Sequence, residues 1–205
     1  MENAVFRSAY GYYKFTLSNF KFYGVINIFT LKFLILNSTK EELSNINDIE
    51  EFEREFGTVE GQIQLNFNDI EEGVIDEELI FISELIISWF KRLNQVLLSI
   101  KSNKYVAMNI PESDNIWYEF RNEGKYLIVS KVKSIKTNNI CDFVVIKPIK
   151  KDISFWKGIK IKKTIFKNEI LKATQNLIDE IILINDKLKE TLEVKELTDL
   201  YNNLK

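Results

Sequence analysis

The chain has 205 residues, of which 45% are hydrophobic and 28% are charged, as in an average soluble globular protein. It contains no histidine and a single cysteine. These two counts exclude histidine-based catalytic triads, histidine-ligated zinc, intramolecular disulfides and all paired-cysteine metal motifs.

The length predicts one domain over residues 1–205, because no stretch has the composition of a linker. The first residues, Met1 to Arg7, lack the basic and apolar segments of a secretory signal. No apolar run approaches the about 20 residues that a membrane span requires. Together with the lone Cys141, which is interpreted as a packed residue of an apolar strand, these features predict a cytoplasmic protein without a membrane partner.

The first third of the chain predicts strands followed by irregular helix. Aromatic and β-branched residues over 10–36 indicate two or three antiparallel strands. Ser38 to Glu42 has the spacing of a capping box, so a short helix should follow within 38–57. Strict alternation over 61–68 predicts another strand, and residues 69–73 are typical of a turn.

A long amphipathic helix is predicted over residues 75–100. Apolar residues recur there at a spacing of three or four, and a second stripe that includes Ile80 widens the apolar face. Asp76, Glu77 and Glu78 would then occupy the first turn, where the helix dipole favours acidic residues. The stripe predicts that Trp89 and Leu93 are buried.

The second half of the chain predicts further strands and a closing helix. Strands are expected at 105–110, 116–120, 125–132, 141–146 and 153–165. The second and third of these should form a hairpin whose loop ends at Gly124. A helix capped by Asn168 should run over 168–188, and a short one over 194–204. The expected fold class is α+β, with an antiparallel sheet of about six strands, two long helices and a short C-terminal helix.

Charge is strongly segregated along the chain. Residues 41–84 contain fifteen acidic residues and one basic residue, Arg54. Residues 85–168 contain seventeen basic and six acidic residues. An acidic block of this density repels itself unless another part of the protein, or a partner, offsets it.

Three interpretations of the acidic block 41–84 remain open on the sequence. The lysines from Lys147 to Lys167 could neutralise it internally, it could be a solvated face, or it could bind a basic partner. For the third interpretation we expect the partner-binding residues where carboxylates cluster around the predicted turn and helix start. These residues are Asp69, Glu71, Glu72, Asp76, Glu77 and Glu78.

Other chemical motifs are weak or missing. The glycines fit no phosphate-binding loop, and residues 69–73 lack the register of an EF-hand, so we expect no catalytic residue, no metal site and no cofactor. The lysines of 147–167 alternate with Phe155, Trp156 and Phe166 in a pattern typical of nucleic-acid surfaces. Because these cations are all lysine and the whole chain is acidic, we favour a strand face balanced by the acidic block and expect no direct nucleic-acid binding.

The order of elements has one parallel among known proteins. N-terminal strands, an acidic turn, a helix with Trp89, a hairpin over 116–129 and the closing segment 165–178 follow one another over about residues 60–185. This arrangement resembles small bacterial immunity proteins of polymorphic toxin systems. The resemblance implies a cytoplasmic, non-enzymatic inhibitor that binds one toxin domain, and it assigns no contact residues.

We therefore expect a non-catalytic binding protein, an immunity-type inhibitor that neutralises a cognate toxin, such as a nuclease, through an acidic surface. The alternative is a phage or mobile-element inhibitor of a host nuclease or defence complex, which would use the same electrostatics. A third hypothesis is a metal-dependent enzyme that uses clustered carboxylates.

Overall fold

The computed structural model describes residues 5–8, 11–14, 28–55, 57–135 and 142–205, with backbone alone for the first two segments. Cys141, which was predicted to pack in a strand, lies outside these residues, as do most of the strands predicted before residue 28. In chain order the N-terminal elements are β1 (Val5–Ser8), β2 (Gly11–Lys14), β3 (Phe29–Leu34), α1 (Asn37–Ser44), α2 (Ile49–Glu55), β4 (Glu60–Phe67), β5 (Ile70–Gly73) and β6 (Glu84–Leu85).

The remaining elements begin with the first long helix. They are α3 (Ile86–Ile100), β7 (Tyr105–Asn109), β8 (Ile116–Glu123), β9 (Tyr126–Ser134), β10 (Val144–Val145), β11 (Lys151–Lys162), α4 (Lys163–Ile184), a 3-10 turn (Asp186–Glu190) and α5 (Leu192–Asn202). The expected fold class is confirmed: the protein is α+β, its strands pair antiparallel, and two long helices precede a short C-terminal one.

The strands are divided between two main sheets. One contains β3, β4 and β5 in that order, with β6 paired to the start of β4. The other has the order β10-β7-β8-β9-β11, so β11 forms an edge. β1 and β2 form a separate two-stranded sheet.

Aromatic rings connect the two main sheets to α4. Phe67 of β4 lies 5.2 Å from Tyr118 of β8 and 5.2 Å from Trp156 of β11, measured between ring centroids. Phe166 of α4 lies 4.7 Å from Phe29 of β3 and 5.3 Å from a ring of β8. All but Trp156 are almost completely buried, so this cluster supplies a large share of the apolar area that drives folding.

A buried ion pair lies beside that aromatic cluster. Lys131 of β9 is 2.5 Å from Glu72 of β5 at the Nζ to Oε2 distance, and the indole N–H of Trp156 donates to the other carboxylate oxygen at 2.7 Å. Both charged residues are nearly buried, at 6% exposure for Glu72 and 4% for Lys131. Lys131 is register-paired with both Tyr118 and Trp156, so the contact fixes β5 against the side of the five-stranded sheet formed by β9 and the edge strand β11.

The predicted helix over 75–100 is correct only from Ile86 onward. Its buried face includes Trp89 and Leu93, which confirms the predicted burial of these two residues. Residues before Ile86 instead form two turns and the short strand β6, which pairs with Glu60 and Gly61. The helical spacing failed there because side chains of other residues compete for the backbone groups, as described below.

Three local predictions were also wrong. Only Asn68 and Asp69 form a turn, with Asn68 at φ 59°, and Ile70–Gly73 continues as β5 because a two-residue loop permits immediate pairing. The predicted capping box is absent, since α1 begins after Leu36 without a side-chain cap. Asn168 is not an N-cap either: α4 already begins at Lys163, directly after β11.

The Glu72–Lys131 contact yields a stability prediction. Lys131→Met should destabilise the protein by about 3–5 kcal/mol, because it leaves a buried carboxylate without its ammonium partner. Urea denaturation followed by circular dichroism measures this change.

Two variants make that measurement specific. The double variant Glu72→Gln/Lys131→Met removes both charges and keeps an acceptor for Trp156, so it should be clearly more stable than Lys131→Met alone. Lys189→Met breaks an exposed pair with Asp186 and should change stability little. Equal destabilisation by Lys131→Met and the double variant would contradict the role of the buried charge.

Candidate functional site

The acidic side chains of the acidic block 41–84 are mostly exposed to solvent. Of its fifteen acidic residues, all are exposed except Glu72, which is buried, and Glu84, which is half-buried. Within the described residues, the only ion pairs of this block join Glu72 to Lys131 and Glu55 to Arg54. No described ion pair links it to a lysine of 147–167, so direct neutralisation by those lysines is not observed.

The six predicted partner-binding residues do not form one cluster. Asp69 and Glu71 are exposed near the β4–β5 turn, where Glu71 pairs with Asn66. Asp76, Glu77 and Glu78 are exposed on the loop after β5, and Asp76 is hydrogen-bonded to Gln62. Asn66 and Gln62 are four residues apart on β4, or about 13 Å at the usual rise per residue. The two groups therefore lie in different regions of the surface.

Glu72 was predicted to bind a partner together with the other five residues, but its side chain is buried inside this protein. Residues alternate between the two faces of a strand, so Glu71 faces solvent while Glu72 faces the other sheet. Its carboxylate is occupied by Lys131 and Trp156, as described above. The sequence could not reveal this, because it did not show that residues 70–73 form a strand.

The loop over 74–83 is held by one buried side chain. Gln62 of β4 has no exposed surface, and its amide nitrogen donates to the carbonyls of Asp76 and Leu79, each at 2.9 Å. Its amide oxygen accepts from the N–H of Asp76 at 2.7 Å. The carboxylate of Asp76 also accepts from the N–H of Glu78. These bonds replace the helical pairing expected for this segment and present Glu77 and Glu78 to solvent.

A cleft of about 300 Å³ lies between α1, α2 and the start of β4. Its apolar lining includes Leu43 and Phe52, and three carboxylates line it as well: Glu42, Glu55 and Glu60. Glu60 accepts a hydrogen bond from the hydroxyl of Ser83 at 2.5 Å, which joins the cleft to the loop. We define the acidic face as the connected group Glu42, Glu55, Glu60, Asp76, Glu77 and Glu78.

Glu84 lies where the loop enters α3. The indole N–H of Trp89 donates to its carboxylate at 3.2 Å, and Glu112 accepts from the neighbouring N–H of Leu85. Burial raises the pKa of the Glu84 carboxyl above its usual value, and the nearby charge of Glu112 adds to this, while the bond from Trp89 opposes it. Negative charge is thus crowded at the base of the loop.

The lysines of β11 and its flanks lie apart from this face. Lys151 forms an ion pair with Glu119 at 2.6 Å, and Lys160 lies over the ring of Tyr126 at 4.2 Å from its centroid. Glu119 is buried and also accepts from the hydroxyl of Tyr105 at 2.7 Å. The described side-chain partners of Lys151 and Lys160 are therefore in the same five-stranded sheet rather than in the acidic block.

Metal-ligand geometry and membrane-spanning length were assessed over the described parts of the chain. No group of three or more carboxylate or cysteine side chains there is arranged to hold a metal ion. None of the helices described is both long and apolar enough to cross a bilayer. Comparisons of the chain with protein-family models, curated proteins and solved structures gave no match.

Two features of this region were not predicted from the sequence. The cleft joins carboxylates that are up to 18 positions apart, and only the packing of α1 and α2 brings them together. Ile80 was placed in the apolar stripe of a helix, yet it is exposed on the loop next to Phe81. The sequence is ambiguous at this point. Three consecutive acidic residues followed by Leu79, Ile80 and Phe81 are equally consistent with a helix start and with an exposed loop.

The raised pKa of Glu84 gives a pH-dependent prediction. A folded-state pKa above the unfolded value means that the protonated carboxyl contributes stability at low pH, which is lost as pH rises through the folded-state pKa. Glu84→Gln remains neutral and retains an acceptor for Trp89. It should therefore have a higher melting temperature than the natural protein at pH 7, and the difference should shrink as pH falls towards about 4, near the usual glutamate pKa.

Glu78→Gln is the matched control, because it neutralises an exposed carboxylate in the adjacent loop. Thermal melts of the three proteins between pH 4 and pH 7 make the comparison. A Glu84→Gln variant that is less stable than the natural protein at pH 7 would show that the ionised carboxylate is favourable there.

Proposed function

We propose that this chain is a non-catalytic binding protein that recognises a basic surface of a protein partner through its acidic face. The observation that supports this most strongly is the exposure of the acidic face, to which no ion pair among the described residues joins a lysine of 147–167. Clustered like charges oppose folding, so this arrangement carries a cost that a cationic partner would offset.

The physical advantage of such a face is in association. A surface of one sign steers a partner of the opposite sign into productive encounters and disfavours partners of like charge. The apolar lining of the cleft, with Leu43 and Phe52, adds area that a partner side chain can bury next to the carboxylates. Lysine and arginine fit such a site well, since their apolar stems carry a terminal charge.

Immunity-type inhibition is the specific form of this proposal. Nucleases bind phosphates, so their substrate grooves carry clustered lysine and arginine. An inhibitor with an exposed acidic face can occupy such a groove in place of nucleic acid. The cognate partner would then be a protein toxin, in keeping with the order of elements along the sequence. Inhibition of a host nuclease by a phage or mobile-element protein requires the same complementarity.

Charge reversal on the acidic face tests the proposal. Glu77→Lys/Glu78→Lys should slow association with the partner about tenfold or more at low salt, and the loss should shrink as salt screens the charges. The partner to use is the product of the neighbouring gene, coproduced and copurified with this chain. Association rates are measured by surface plasmon resonance over a series of salt concentrations.

The matched control is Glu123→Lys/Asp199→Lys, which makes the same change in net charge at exposed sites outside the acidic block. Both double variants should melt near the natural protein, because exposed charges contribute little stability. If the two double variants slow association equally, the effect depends on net charge alone, which would contradict a specific acidic face.

A further inference from the structure

Two large apolar side chains are exposed at the centre of the loop over 74–83, which we call the acidic loop. Ile80 is 69% exposed and Phe81 is 70% exposed. The N–H of Leu79 donates to the carbonyl of Asp76, and the N–H of Ile82 donates to the carbonyl of Leu79, so two β-turns follow one another. Ile80 and Phe81 occupy the two central positions of the second turn, which usually hold glycine, proline, asparagine, aspartate or serine.

This exposure is enforced by the surrounding structure. The buried side chain of Gln62 binds the backbone of Asp76 and Leu79, the first residues of the two turns. On the other side, Ser83 is bonded to Glu60, and β6 pairs with the start of β4. The turn is therefore held at both ends before any partner binds, which lowers the entropic cost of association.

The environment of the two side chains specifies the chemistry of what covers them. Asp76, Glu77 and Glu78 precede the tip in the chain, and Glu60 and Glu84 adjoin the segment that follows it. A complementary surface must accept an aromatic and a branched aliphatic side chain and must present cations around them. Buried aromatic anchors surrounded by polar contacts are the usual centres of binding energy in protein interfaces.

We propose that Ile80 and Phe81 form the apolar anchor with which this chain inserts into a pocket of a protein partner, and that lysine or arginine residues rim that pocket. This inference rests on the proposed function and adds the residues that supply most of the binding energy. The acidic face sets the rate and selectivity of encounter, whereas Ile80 and Phe81 determine how long the complex lasts.

A selection experiment tests the anchor with synthetic binders in place of the natural partner. The full-length protein is immobilised and used to select binders from a display library of one small helical scaffold with a randomised surface. The selected binders should be enriched in lysine and arginine next to apolar residues. Dissociation constants are then measured by biolayer interferometry against the natural chain and three variants.

The variants separate the anchor from the charge. Phe81→Ser should weaken most selected binders about tenfold or more, mainly through faster dissociation. Leu183→Ser removes an apolar side chain that is 86% exposed on α4 and should leave the affinities unchanged. Glu77→Lys/Glu78→Lys should slow association in a salt-dependent manner.

Each result has a defined consequence. Selected binders that bind Phe81→Ser as tightly as the natural chain overturn the anchor, and if they still lose affinity on charge reversal the proposed function stands. Binders that depend on Phe81 but lack cations and ignore charge reversal overturn the basic rim and count against the acidic face as well. Thermal melts of Phe81→Ser should match those of the natural chain, since the Phe81 side chain is exposed to solvent and is not part of the core.

Discussion

The contact between Glu72, Lys131 and Trp156 is the constraint on which the rest of the arrangement depends. It joins the short strand β5 to β9 and the edge strand β11 of the five-stranded sheet, in a place where water is largely excluded. A buried ion pair contributes little net stability compared with apolar packing, but an incomplete one is costly. The pairing therefore penalises any shift of β5 that would separate these residues.

The position of β5 in turn determines where the acidic loop emerges. β5 ends at Gly73, which adopts φ 82°, a left-handed conformation that glycine tolerates, and the chain then continues towards the start of β4. The carbonyl of Ile63 would lie 2.1 Å from a side-chain carbon at this position, so a larger residue would displace the loop. Gln62, one residue earlier on β4, then captures the loop backbone.

This organisation separates folding from recognition. The aromatic cluster and the Glu72 contact occupy the space between the sheets and α4, whereas the acidic face and the Ile80–Phe81 turn lie on the outside. Substitutions in the two regions should accordingly have different consequences, for stability in one and for association in the other. Within the described residues, the basic strand β11 contributes Trp156 to the folded interior but forms no ion pair with the acidic block.

Local patterns in the amino-acid sequence were sufficient to predict the fold class, the C-terminal part of the helix ending at Ile100, the β8–β9 hairpin and the charge segregation. These features follow from periodicity and composition, which act over a few neighbouring residues. Long-range contacts instead cause residues 74–83 to leave the helical pattern, because the competing donor and acceptor come from Gln62. Tertiary structure likewise decided that Glu72 is buried while Glu71 is exposed, since pairing with β4 and packing against Lys131 fix the face each residue occupies.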